Sequence, residues 1–451
     1  MSEEWQQAVS WIEQEFGGRV TNARAQGRWR DAWFFDLEQE ARTLPLYFRG
    51  HRPGLARDAR RLMLEIRVLQ VLEKHGLPVP HVYGFCPEPE GIVMEYKPGR
   101  PGISDIEGKE NQLKVLDQYV DALAAMHKID VSEFAGTNLP CPQSSEERGL
   151  ADLAYWEGIY RKYKFRPEPL IEFAILWLKN NIPPDRNKTV FLHVDSGQFI
   201  YHENELTAML DFELSMLGDP MADLAGLRTR NLSEPLVDLS HAYKRYQEKS
   251  GEPIDWYALD YHTVRFALMT PVPIAALVAF PPARVNLPQY LGWYYAYSWL
   301  AVAVMAQLGK VEPREPRLPD YAAARQRSSD FTPSYQALHR HLESLHQEAG
   351  APDLQYDLDI AQRLSEYLER VGVMGRQIED ANRADLERIL GKSIDDWQAA
   401  QQELEELVLA EHENRKAEMI EYFYRYTRRH LHLMGPVLRE LEAYRLDLGR
   451  F

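Results

Sequence analysis

Between Phe191 and Glu213 the chain reads FLHVDSGQFIYHENELTAMLDFE, in which short apolar runs are closed or followed by an aspartate. Asp195 has a histidine two residues before it, and Asp211, sixteen residues further on, is followed by an aromatic and a glutamate. The pattern predicts two acids on loops after short strands. A continuous helix through this segment is excluded if both acids are to face one cleft. Taken singly, Asp195 has the ordinary alternative of capping a turn and Asp211 of capping the following helix.

The flanking sequence says what kind of cleft this is. From Gly17 to about Glu95 the pattern is mostly strand-like, with RWRDAWFFDLE and LPLYFRG as short bulky runs bounded by turn residues. Between them and GIVMEY lies ARDARRLMLEIRVLQVLEKHG, with Leu62, Ile66, Leu69 and Leu72 at helical spacing and Gly76 at its end. After KPGRPG the chain turns helical, and helices resume beyond the two acids to about Leu308. A Pro- and charge-rich piece, GKVEPREPRLPDYAAARQRSSDFTPSY, reads as a linker, followed by long polar amphipathic helices. The expected fold class is α+β and bilobal. Residues 1–95 form an N-terminal lobe with an antiparallel sheet, 96–315 a helical lobe carrying the acids, and 332–451 a helical C-terminal extension.

With 451 residues and 45% hydrophobic composition, two or three compact units are expected. A net charge of -16 disfavours nucleic acid as a partner. Cys86 and Cys141 are too few for a disulfide framework or a four-ligand zinc site, and a cytoplasmic location is the simplest expectation. The N-terminal MSEEWQQAVSWIEQEFGG is acidic and amphipathic, without a basic-then-apolar signal region. Leu291 to Gly309, LGWYYAYSWLAVAVMAQLG, is uncharged and long enough for a membrane span, but it lacks a basic flank and is read as a buried core helix; no membrane partner is expected.

A sheet lobe followed by a helical lobe with two acids in the cleft suits phosphoryl transfer, where the protein mainly positions groups and neutralises charge. One carboxylate orients the attacking hydroxyl and accepts its proton. A second holds Mg²⁺ against the phosphates, helped by an amide oxygen. A basic group on the first lobe, steadied by a helix-borne acid, grips phosphate. Asp195, Asp211, Arg49 and Glu65 stand in order for those four roles.

From about Phe16 to Arg228 the chain resembles the aminoglycoside phosphotransferase/choline kinase-like group of small-molecule kinases. The pieces that carry the resemblance are LEIRVLQVLEKHGLPVPHVYG, IVMEY, HVD, LDFE and GDPMADLA, in joint order. The resemblance implies a protein-kinase-like bilobal fold, ATP and Mg²⁺ as cofactors, and a small-molecule hydroxyl as acceptor. It implies Asp195 as catalytic base, Asp211 as metal ligand and Glu65 as the helix glutamate. Met94, Glu95 and Tyr96 correspond to the adenine-binding hinge, His193 to the loop histidine, and Asp219 and Asp223 to downstream structural acids. His127 corresponds to a packing position and stays outside the site.

Three positions depart from the family pattern. The family usually reads His-Gly-Asp with an asparagine five residues later. Here Val194 replaces the glycine, and a loop two residues shorter brings Gln198 to the asparagine's place, where a longer side chain offers the same amide oxygen. The usual phosphate-gripping lysine corresponds to Arg49, a planar fork rather than a point charge, which suits the members that act on hydroxyacyl compounds. The phosphate-covering turn AQGRWRDAWFF holds only Gly27.

Other readings stay open. His193 is read as a structural hydrogen-bonder for the loop. Glu65 is either Arg49's ion-pair partner or an ordinary solvated helix residue, and Gln198 is a metal ligand or not. Trp293 to Trp299, WYYAYSW, either lines an acceptor pocket or packs as helix core. The C-terminal helices serve for packing on the kinase lobe or for self-association. A hydroxyacyl-CoA acceptor requires basic residues such as Arg228 or Arg230 at the entrance. The altered loop leaves a second function, a pseudokinase that binds nucleotide or acts as a regulatory scaffold.

Overall fold

The computed structural model describes residues 3–26, 32–51, 59–326, 332–441 and 446–451. Gly27 and the turn that follows it lie outside the described residues.

Among the described residues five strands make the N-terminal sheet: β1 (Arg19–Ala25), β2 (Ala32–Glu38), β3 (Thr43–Arg49), β4 (Val82–Pro87) and β5 (Glu90–Glu95). Their order is β1-β2-β3-β5-β4, and every neighbour is antiparallel. Alternation along β2 and β3 sends Phe35, Leu37, Leu46 and Phe48 to one face, where they pack with Trp5, Ala8 and Ile12 of the helix Glu3–Phe16. The indole of Trp5 stacks on Trp33 with centroids 4.5 Å apart. The helix Ala59–Lys74 buries Leu62, Ile66, Leu69 and Leu72, the face its spacing predicts, and buries Glu65 with them. A carboxylate on an apolar face requires a cation within reach.

The helical lobe opens after β5. It contains two short hairpin-like pairs, β6 (Val190–Leu192) with β9 (Met216–Gly218), and β7 (Phe199–His202) with β8 (Glu205–Met209). Asp195 follows β6 and Asp211 follows β8, so both acids occupy loops after strands, and Asp211 meets Arg49 of the sheet lobe. The apolar run expected to be core forms the helix Leu287–Leu308, with Tyr294, Ala296, Trp299, Leu300 and Val302 buried.

The region beyond the linker shares its core with the helical lobe. The helix Lys416–Met434 places Met419, Ile420, Phe423 and Leu431 in one cluster with Ile171, Phe173 and Leu300. Phe173 and Phe423 meet at 5.5 Å. Glu405 of the helix Trp397–Glu411 accepts from the Glu168 amide at 2.7 Å and from Lys164 at 2.6 Å. The last described residues return to the same lobe: Arg450 pairs with Asp260, and the Leu448 carbonyl accepts from Arg228 at 2.8 Å.

Candidate active site

The two acid loops are held by the helix Met221–Arg230. Its Asp223 is fully buried and accepts the amides of His193 at 2.9 Å and Val194 at 2.6 Å, and His127 reaches the same carboxylate at 2.9 Å. Burial alone would raise the Asp223 carboxyl; His127 and the hydrogen bond from the His193 amide outweigh it and hold it below the ordinary range. Val194 sits at φ 72, a left-handed conformation that a β-branched residue rarely adopts. That is the physical content of the family's glycine. Here the conformation is kept by the Asp223 carboxylate on its amide and by burial of its side chain with Val190, Leu192 and Ala222. Gly226 allows the helix this close, because a Cβ there would lie 2.4 Å from the Val194 carbonyl oxygen.

His193 ties the two loops together. Its Nε2 lies 2.7 Å from the Leu210 carbonyl and its ring stacks on Phe212 at 4.3 Å. Burial lowers its pKa, so the ring is neutral, and Nε2–H donates to that carbonyl. Asp211 follows in the left-handed region, φ 64 and ψ 60, which turns its carboxylate toward the sheet lobe.

Seven side chains converge there. Gln198 Nε2 lies 2.5 Å from Asp195 Oδ2 and 3.2 Å from Asp211 Oδ2. Arg49 spans the lobes: its Nε is 3.1 Å from Glu65 Oε2, its Nη2 2.5 Å from Asp211 Oδ1 and 3.7 Å from Glu213 Oε2. Burial alone would lower the Arg49 guanidinium, and the three carboxylates outweigh it and hold it above its usual range. The remaining oxygen of Asp195, Oδ1, is ion-paired with Arg230. Among the described residues no group of three or more His, Cys, Asp or Glu side chains is arranged to hold a metal unaided. The donor set of Asp211 and the Gln198 amide still fits Mg²⁺, which takes oxygen ligands and commonly uses only one or two protein groups beside phosphates. Turning the Gln198 amide through 180° presents its oxygen to the same point.

The sequence signature of the phosphotransferase enzyme family, APH, matches residues 23–262, more than half of the chain. The chain belongs to that family. A solved structure from Ralstonia eutropha, assigned as an aminoglycoside phosphotransferase, has the same fold: TM-score 0.54, 20% identity, covering 68% of this chain and 99% of the other. Curated relatives carry other names. Acyl-CoA dehydrogenase family member 11 of Rattus norvegicus is 26% identical over 257 residues, 52% of this chain and 31% of that protein. Acyl-CoA dehydrogenase family member 10 of Mus musculus is 29% identical over 174 residues, 36% of this chain and 16% of that protein. The chain thus spans less than a third of the length of these two relatives.

In this member of the family the structure brings Arg49, Glu65, Asp195, Gln198 and Asp211 to one centre. The hinge residues lie at the edge of β5. The Glu95 amide donates to the His81 carbonyl at 2.8 Å and the Tyr96 amide to Pro45 at 3.0 Å, while Met94 is buried in the core. A nucleobase hydrogen bond at this segment therefore has to use carbonyls or residues beyond Tyr96. Asp219 is structural: Arg186 binds it at 2.6 and 2.8 Å, and its own oxygen caps the Met221 amide at 2.9 Å.

Arg228 is not at an entrance. Its side chain is fully buried against Asp260 at 2.7 Å, because residue 228 faces the core side of its helix. Arg230, two residues on, turns to the opposite side and meets Asp195. Of the aromatics in WYYAYSW, Tyr294, Tyr295 and Trp299 are core. Tyr297 is half-buried, 3.4 Å from Ser233 Oγ, and within the field of Arg230 and Asp195. The contacts of Arg230 with Asp195 and of Glu213 with Arg49 are the features sequence reasoning missed. Glu213 stood in plain view in LDFE, whereas nothing near Arg230 in the sequence points to Asp195.

Proposed function

We propose that this phosphotransferase transfers the terminal phosphoryl group of ATP to a hydroxyl of a small molecule. The observation that carries the reading is the Gln198 amide lodged between Asp195 and Asp211, 2.5 and 3.2 Å from their carboxylates, with Asp211 also bound by Arg49 of the Arg49–Glu65 pair. When bound, ATP supplies the phosphoryl group and Mg²⁺ neutralises its charge. Asp195 orients the acceptor hydroxyl and takes its proton. Asp211 and Gln198 hold the metal. Arg49, steered by Glu65, binds phosphate oxygens through its planar fork. The test is an acceptor screen with ATP and Mg²⁺ that reads ADP release. Curated relatives with acyl-CoA dehydrogenase names support including hydroxyacyl thioesters beside aminoglycosides and choline-like alcohols. No ADP release above background with any of them speaks against the reading.

A second reading, a pseudokinase that binds nucleotide without turnover, is favoured by one observation. Both carboxylate oxygens of Asp195 are engaged by side chains, Arg230 on one and Gln198 on the other. Calorimetric ATP binding without ADP release under any acceptor supports it.

A further inference from the structure

Arg230 occupies a singular place in the fold. It ends the helix that holds the acid loops, and the stem of its side chain lies against Gly197, where a Cβ would fall 2.8 Å from Arg230 Cδ. Gly197 itself sits at φ 95, so the chain turns there in a way that leaves room for this side chain. One amino group of the guanidinium pairs with Asp195 Oδ1 and the other with Glu234 at 3.0 Å, one turn on. The group is neither a solvated surface charge nor a sealed core pair: its side chain is 14% exposed and that of Asp195 is 22% exposed. By contrast, Arg228 and Asp260, the structural pair on the same helix, are both at 0%.

We propose that Arg230 is a positioning residue for phosphoryl transfer, holding Asp195 Oδ1 so that Oδ2 faces the acceptor hydroxyl. The inference rests on the proposed role of Asp195 as base. Two hydrogen-bonded oxygens fix the carboxylate plane. Gln198 donates to Oδ2 through the same amide that is proposed to face the metal, so turning that amide oxygen toward the metal withdraws the N–H from Asp195. Oδ2 is then free to accept from a hydroxyl, while Oδ1 stays anchored by Arg230. Without the anchor the carboxylate turns freely about its Cβ–Cγ bond, beside the negative charges of Asp211 and Glu234. Small displacements of a positioned group cost rates of about 10²-fold. The turn at Gly197 runs close under the end of the helix, which lets Arg230 reach Asp195.

The test is a double-mutant cycle on the full chain, read as ADP release from Mg²⁺·ATP with water as the sole acceptor, so that no alcohol need be known. Arg230→Gln in the wild-type background is expected to lower kcat by roughly 10- to 100-fold, with the calorimetric Kd for Mg²⁺·ATP within about twofold. In the Asp195→Asn background the same change is expected to have little further effect, because its target is gone. Arg230→Lys, which keeps one charged donor, is expected to recover much of the rate. Equal losses in both backgrounds, or a wild-type rate for Arg230→Gln beside a slow Asp195→Asn, overturn the inference and leave the role of Asp195 standing. A wild-type rate for Asp195→Asn overturns the base assignment itself. If Arg230→Gln fails to fold, the cycle is run with Arg230→Met, which keeps the apolar stem against Gly197, and a loss of the same size in both backgrounds has the same meaning.

Discussion

Arg49 Nη2, at the end of a strand in the sheet lobe, lies 2.5 Å from Asp211 Oδ1 in the helical lobe. The same guanidinium faces Glu65 and Glu213, so one cation is held among three carboxylates at the lobe junction. Removing it leaves those acids facing one another with little solvent to screen them. Arg49→Met is expected to destabilise the protein by about 3–5 kcal/mol, measured by urea denaturation. Millimolar Mg²⁺ is expected to recover part of that loss by replacing the missing charge. A stability equal to wild type would show that Arg49 has no such role.

Asp195 and Asp211 are expected to separate in their effects. Asp195→Asn should preserve ATP affinity and cut turnover by roughly 10²–10⁴-fold. Asp211→Asn should raise the Mg²⁺ concentration needed for half-maximal rate. Initial rates over a Mg²⁺ series decide it, and normal kinetics in both variants contradicts the assignment.

Gln198 tests whether reach compensates for a shortened loop. Its side chain does approach both carboxylates, as that idea requires. Gln198→Ala is expected to raise the Mg²⁺ requirement more than the ATP requirement. Gln198→Asn, one methylene shorter, should only partly restore it. An asparagine variant indistinguishable from wild type would remove the length argument.

His430 predicts an acid-sensitive stability. Its ring stacks face to face on Tyr295 at 4.3 Å, and burial, with Arg429 and Arg166 nearby, pushes its pKa down to about 3. The unfolded chain takes up that proton near pH 6.5. Stability from this site is therefore complete above about pH 6.5 and declines as pH falls toward 3. His430→Phe keeps a ring and removes the proton, so the slope of unfolding free energy against pH should flatten in that window. His193 and His262, also shifted down by burial, leave a residual slope. An unchanged slope refutes the assignment.

Cutting the chain after residue 331 should not release an active two-lobed enzyme. The cut strips Met419, Ile420, Phe423 and Leu431 from a core they share with Ile171, Phe173 and Leu300. Each such side chain contributes about 1.5–3 kcal/mol of burial, which together is comparable to or larger than the usual margin of a domain. The expected product is insoluble or aggregated by size-exclusion chromatography, and a monodisperse, active fragment would disprove the dependence.

The two-lobed order, the helix face of Leu62 to Leu72, and the placing of Asp195 and Asp211 on loops were all legible in the chain of residues. Those features follow from local periodicity and from acids that end apolar runs, which act over a few residues. The family resemblance pointed to Arg49 and Gln198 as positions that depart from its pattern, and both side chains lie beside Asp211. What each charge meets was settled by packing. Arg228 and Arg230 are two residues apart with the same chemistry, yet one is sealed against Asp260 and the other reaches Asp195. A helix turns about 100° per residue, so neighbours two apart face nearly opposite sides, and only packing against the acid loop and the core says which side is which. The same holds for the C-terminal helices: their polar amphipathic pattern announces a buried stripe, but whether that stripe covers the helical lobe or another chain depends on a complementary surface far away in the sequence.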